Sequence, residues 1–148
     1  AAIHESVRIS ENLLPSKLRD FDLSACLKSL CAQMRDSTAA DIRFIDQEGL
    51  GALDQFQKIN LYRIAQEALN NAIKHSDARN ITVEVSDGNG MLTMTIRDDG
   101  RGVDMAALQR VNGMNNMKDR AEIIGGKFVI EGDPHRGTVV TVEASIHR

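Results

Sequence analysis

Aromatic residues are scarce in this 148-residue chain: four Phe, one Tyr and no Trp, 3% in all. A surface that stacks bases of single-stranded nucleic acid needs such rings, as does a carbohydrate cleft, and both are disfavoured. No cluster of Lys and Arg compensates. The net charge is −3, so nothing points to nucleic acid or to an anionic membrane surface. No apolar stretch approaches the roughly 18 residues that span a bilayer. The opening AAIHESVRIS is too polar for a secretory signal and lacks an initiator Met, which leads us to expect a piece of a longer protein. Cysteine is limited to Cys26 and Cys31. Their spacing is not CxxC, and five residues apart on a helix they diverge, so we expect buried, unbridged thiols in a reducing compartment. A Walker A loop is also missing: Gly126-Lys127 has neither the upstream glycine nor the Ser/Thr. There are no internal repeats and no low-complexity linker.

A hydrophobic fraction of 42% and a charged fraction of 26% are those of a soluble globular domain. Residues 1–12 read as a polar helix, interrupted by Pro15. Leu23, Leu27 and Leu30 then mark an amphipathic helix over about 23–39, capped by Asp22 or Ser24. DIRFID (41–46) alternates as a strand, and 48–54 is a glycine-containing loop. The strongest helical signal is 55–76, where Leu61, Ile64, Ala65, Ala68, Leu69, Ala72 and Ile73 recur at three and four. Strands at 80–86 and 91–97 flank the turn signal SDGNG. Residues 105–116 are irregular. A helix over about 115–124 stops at Gly125-Gly126, and a second hairpin pairs 127–132 with 138–146. This order predicts an α+β domain with helices on one face of a mixed sheet.

Three groups of residues suggest chemistry. Glu67, Asn71, Lys74 and His75 form a polar stripe along the long helix, with Asn70 beside it. A solvated helix face is the competing reading, but such faces favour Glu, Lys and Arg. Asn costs about 0.5 kcal/mol against Ala inside a helix, and here two stand in tandem. An Asn carbonyl is a hard oxygen suited to Mg²⁺, which keeps waters and bridges to phosphate. The second group is Asp98-Asp99-Gly100-Arg101-Gly102 at a strand end. A carboxylate only accepts hydrogen bonds, so it suits the exocyclic amine of adenine and repels the carbonyl of guanine. The glycines allow close backbone approach. A plain Asp-Gly turn is the alternative. A dinucleotide fingerprint fails for want of a glycine at Met105. The third group is Gly113, Gly125-Gly126 and Gly137-Thr138, a flexible segment leading into a helix N-terminus that could cradle phosphate, with a hydroxyl at a strand start.

Taken together and in order, these stretches resemble the N, G1 and G2 boxes of the Bergerat-fold ATPases. YRIAQEALNNAIKH (62–75), DDGRGVD (98–104), GMNNMKDRAEIIGG (113–126) and GTVVTV (137–142) are most similar to sensor histidine kinases of the nitrate-sensor and sugar-phosphate-sensor type. LLPSKLRDFDLSACL (13–27) resembles the exit from that family's dimerisation helices. The resemblance implies a two-layer α/β sandwich with a nucleotide lid over about 101–116. It implies an end of a dimerisation helix and linker at 1–22, and an ATP-binding catalytic domain at 23–148. It assigns catalysis to Glu67 and Asn71, with Asn71 as the Mg²⁺ ligand. It assigns ATP contacts to Asn71, Lys74, His75, Asp98, Gly100, Gly102, Val103, Gly113, Met114 and Thr138. The implied partners are ATP, a histidine-bearing dimerisation domain of the same protein and a response regulator, without nucleic acid. The implied location is cytoplasmic, the full-length protein being either free or anchored in the inner membrane, and dimeric only at full length.

Two departures stand out. Val111 occupies the first position of the family's Gly-x-Gly before the lid helix. No histidine matches the family's phosphoacceptor motif: His4, His135 and His147 read as surface residues. The fragment alone is therefore expected not to phosphorylate itself. An anti-sigma-factor-type serine kinase, which shares the first two boxes, and a non-catalytic nucleotide-binding regulatory module are the rival readings.

Overall fold

A computed structural model describes residues 22–46, 53–75, 77–101, 112–133 and 137–146. The expectations for residues 1–12, for most of the 1–22 linker, for most of the lid, and for Val111, His4, His135 and His147 lie outside the described residues.

Asp22, not Ser24, caps the first helix, α1 (Leu23–Arg35): its side chain accepts from the Ala25 amide at 2.8 Å. The helix stops four residues short of the expected 39. There Arg35 Nε turns away to donate to the Ile42 carbonyl at 2.9 Å, and a turn and bend lead into β1 (Asp41–Asp46). The long helix, α2 (Gln55–His75), starts at a reciprocal capping box. The Gln57 amide donates to Asp54 Oδ1 at 2.7 Å, and the Asp54 amide donates to Gln57 Oε1 at 3.2 Å.

The first hairpin runs longer than its sequence suggests. β2 (Asn80–Gly88) and β3 (Met91–Asp98) use part of the SDGNG stretch as strand. Only Asn89 and Gly90 turn, both at positive φ (56° and 75°), the geometry that favours Asn-Gly in two-residue hairpins. Helix α3 (Asn112–Ile123) begins three residues before the expected start and takes Gly113 into its first turn. It closes through Gly125 at φ 72°, whose amide donates to Glu122, while the Gly126 amide donates to Ala121. Strands β4 (Lys127–Asp133) and β5 (Gly137–Ser145) complete the chain.

The five strands form one mixed sheet in the order β1-β2-β3-β5-β4, parallel only between β1 and β2. Period-two alternation turns Ile42, Ile81, Val83, Val85, Leu92, Met94, Ile96, Val140 and Val142 to one side, all buried. Helix α2 lays Leu61, Ile64 and Leu69, each fully buried, onto that side. Each such side chain contributes about 1.5–3 kcal/mol. Thr82, Glu84, Thr93, Thr95, Thr141 and Glu143 point the other way and stay at least partly exposed. The helices therefore cover one face, as the sequence predicts. Cys26 and Cys31 diverge on α1, yet both are buried, because this helix packs on β1 and on α2 at once. They form no disulfide, and burial pushes the Cys31 thiol up to about 11. Among the described residues no helix is long and apolar enough to cross a membrane.

Candidate functional site

The chemistry-bearing residues gather where β3 ends and β5 begins. Antiparallel register sets Asp98 directly across from Thr138, and Ile96 across from Val140. Above them pass the later turns of α2. Ala68, Ala72, Ile96, Ile130 and Val140 wall a crevice into which Asn71, Asp98 and Thr138 bring the polar groups. It is narrow, a cavity of ≈ 10 Å³, room for about one water.

Three features of this crevice are unlike the rest of the core. Asp98 is only 5% exposed, and its Oδ1 accepts from the Gly100 amide at 2.9 Å. Thr138 is equally buried, and its Oγ1 finds no hydrogen-bond partner among the described residues. A buried hydroxyl without a partner costs about 1–3 kcal/mol. Gly137 enters β5 at φ 92°, and any Cβ there would run into the Asp98 carbonyl and lie 3.0 Å from Asp99 Cα. The glycine is what lets the start of β5 close against the carboxylate-bearing turn.

The sequence singled out more residues than the crevice gathers. Glu67 is half-buried one turn before Asn71, and Lys74 is exposed one turn after it, but neither lines the crevice. His75 is the last residue of α2; its side chain, like that of Met114 in α3, is not among those described. Gly102 and Val103 lie outside the described residues. Gly100 follows two residues after Asp98, and its amide donates to the Asp98 carboxylate.

One functional candidate escaped sequence reasoning. Asp99 Oδ1 accepts from the Arg79 and Asn80 amides, each at 2.9 Å, and Oδ2 accepts from Asn80 Nδ2 at 2.8 Å. These bonds, that of the Asn80 side chain foremost, hold the Asp99 carboxyl below its ordinary value. The only signal for it was the doubling of Asp before Gly100.

Residues 57–148 match the histidine kinase-, DNA gyrase B- and HSP90-like ATPase family. The chain is 34% identical over 146 residues to the sensor histidine kinase MctS of Rhizobium johnstonii, covering 95% of this chain and 31% of that one. It is 29% identical over 130 residues to the signal transduction histidine-protein kinase/phosphatase UhpB of Salmonella typhimurium, covering 86% of this chain and 26% of that one. It thus spans about a third or less of these two relatives. The blue-light activated histidine kinase EL346 of Erythrobacter litoralis superposes with a TM-score of 0.82 at 16% identity, over 99% of this chain and 50% of that one. At that identity the likeness speaks for the fold, the two-layer α/β sandwich anticipated from the sequence.

Proposed function

The chain belongs to the histidine kinase-, DNA gyrase B- and HSP90-like ATPase family, and from that premise we propose that it is the ATP-binding catalytic unit of a two-component sensor histidine kinase. In the intact protein this unit, residues 23–148, transfers the γ-phosphoryl of ATP to a histidine on a dimerisation domain, from which a response regulator takes it. The relatives' names support a histidine as acceptor over the serine of an anti-sigma-factor kinase.

The observation that carries the reading is the Thr138 hydroxyl, without a partner among the described residues and buried directly across from buried Asp98. An apolar slot with an acceptor-only carboxylate and a hydroxyl at its edge fits a flat base with an exocyclic amine, hence adenine. Asn71, further along the slot, offers a neutral carbonyl oxygen. Among the described residues no three His, Cys, Asp or Glu side chains converge on a metal. Asn71 would hold a Mg²⁺ shared with phosphate oxygens, and the ion's charge would offset that of the phosphates. Lys74 and His75, which the resemblance assigns to the phosphates, are the last two residues of α2. Glu67 either orients the incoming nucleophile or holds a magnesium-bound water. In the first role Glu67→Gln cuts transfer by about 10²–10⁴-fold with binding intact.

Calorimetry with MgATP and MgGTP tests the site. ATP should bind and GTP should bind far more weakly. Asp98→Ala should lose about 1.5–3 kcal/mol of ATP affinity. Equal affinities for the two nucleotides, or an Asp98→Ala variant that binds ATP as the parent does, would defeat the adenine assignment.

A further inference from the structure

We infer that Asp99 is a positioning residue: it sets the distance between the base-reading end of the crevice at Asp98 and the phosphate-facing last turn of α2. The inference rests on the nucleotide reading above and adds a residue which that reading does not use.

In the last turn of α2, Ala72 is buried in the core and Ile73 is half-buried against it. On one side Asn71 and Ala72 border the narrow crevice. On the other side lies a second hollow of about 320 Å³, lined by Ala40, Ala72, Ile73, Ala78 and Ile81 among others. Ala72 is a wall of both. These apolar contacts stop at Ile73 within α2; Lys74, next along, is exposed.

Hydrogen bonds hold the segment that follows α2 instead. Asp99 grips the Arg79 and Asn80 amides with one oxygen and the Asn80 side chain with the other. Its own amide donates to the Asn80 carbonyl at 3.2 Å. Beside this clamp Arg101 Nη2 meets Asp77 Oδ2 at 3.1 Å, a pair too exposed to hold much on its own. The segment 77–80 is thus pinned to the residue next to Asp98. One peptide bond separates the clamp from the base-reading carboxylate, and a few residues separate it from the turn that carries Asn71, Lys74 and His75. The two halves of a nucleotide are rigidly joined, so the two halves of its site must be held at a matching distance.

Removing the clamp should therefore weaken ligands that span both ends and spare a ligand that needs only one. Titrations of the 148-residue chain with MgADP and with adenosine make the distinction. Asp99→Ala should lose roughly tenfold or more in MgADP affinity while adenosine affinity stays within about twofold. Asp99→Asn should recover most of the loss. Its amide oxygen still accepts from both backbone N–H groups, and its NH₂ can face an Asn80 side chain turned over to present oxygen. Asn80→Ala, which removes a single partner, should cost MgADP about threefold and decides the matter if Asp99→Ala does not melt as a folded protein. MgADP binding unchanged in Asp99→Ala, or in Asn80→Ala where that variant decides, would overturn the inference. So would parallel losses of MgADP and adenosine, which mark general damage. A parent chain that binds neither ligand would instead remove the nucleotide reading beneath it.

Discussion

The paired strands β3 and β5 have two ends, built from the same register and finished in opposite ways. At the end that holds Met91 and Ser145, polar groups are answered from within the chain. Gln57 Nε2 donates to the Ser145 carbonyl at 2.8 Å while its amide and side-chain oxygen complete the α2 cap. The Ile146 amide donates to the Gly90 carbonyl at 2.8 Å. At the other end, Thr138 keeps a buried hydroxyl without a described partner, and Gly137 holds a φ that side chains rarely adopt. Buried polar groups are normally satisfied, and this exception is the ground on which the nucleotide is proposed to bind at this end.

The harshest way to break this comparison is Gly137→Ala. The new Cβ collides with the Asp98 carbonyl, which is backbone and cannot step aside, and the φ of 92° adds strain. A loss of about 3 kcal/mol or more is expected in a urea melt, with nucleotide binding abolished. An alanine that costs under about 1 kcal/mol would mean the two strands do not close as described. At the satisfied end, Gln57→Ala removes half of a capping box and leaves the Ser145 carbonyl short of a donor. A loss of about 1–3 kcal/mol is expected, with MgADP affinity unchanged. If affinity fell with stability, the two ends would not be independent.

Much of this architecture is legible in the sequence because it is written in periodicity. The apolar positions of α2, β2 and β3 come straight from spacing, and all but Ile73, which is half-buried, are fully buried. Asn71, Asp98 and Thr138, far apart in sequence, do share one crevice. Element ends were less legible. α1 stops early where the Asp36 and Ser37 amides turn back to Gln33 and Met34, and there Arg35 meets the Ile42 carbonyl, a partner seven residues away that no helical pattern announces. The Asp54–Gln57 cap straddles the boundary read between the 48–54 loop and the helix from 55, a reciprocal pairing that periodicity does not announce. The role of Asp99 depends on Arg79 and Asn80, about 20 residues earlier and brought near only by the hairpin. Gly137 reads from the sequence as part of a phosphate cradle; its need to be glycine comes from the backbone of another strand.

Titration separates the ends as well. Asp99 at the open end has a carboxyl held below its ordinary value, chiefly by the Asn80 side chain. Its contribution is present above the unfolded-state pKa and is lost as pH falls through the lower folded one. Stability measured against pH should therefore fall less steeply on the acid side in Asp99→Asn. Cys31, in the core beneath α1, behaves in the opposite sense. Its thiol is raised by burial from 9.0 to about 11, so the stability it adds is intact below 9.0 and is lost as pH climbs through about 11. Thiol reagents should label the folded chain slowly at pH 8. Rapid labelling of Cys31 would contradict its burial.

The smallest effect sharpens the comparison most, because its sign is opposite to that of Gln57→Ala. Thr138→Val replaces a buried hydroxyl that has no partner among the described residues with a methyl of similar shape. Removing an unsatisfied polar group should leave stability unchanged or raise it by up to about 1 kcal/mol. The hydroxyl is kept, on this view, for a ligand, so MgADP affinity should drop by roughly three- to tenfold, the worth of one neutral hydrogen bond. Thermal melting without nucleotide and titration with it read the two effects separately on the same sample. A loss of stability near 1 kcal/mol would mean that the hydroxyl is already satisfied in the ligand-free chain. A gain in stability with unchanged affinity would mean that nothing bound there reads Thr138. Only stability held or gained together with affinity lost assigns the unfinished end of the strands to a bound nucleotide.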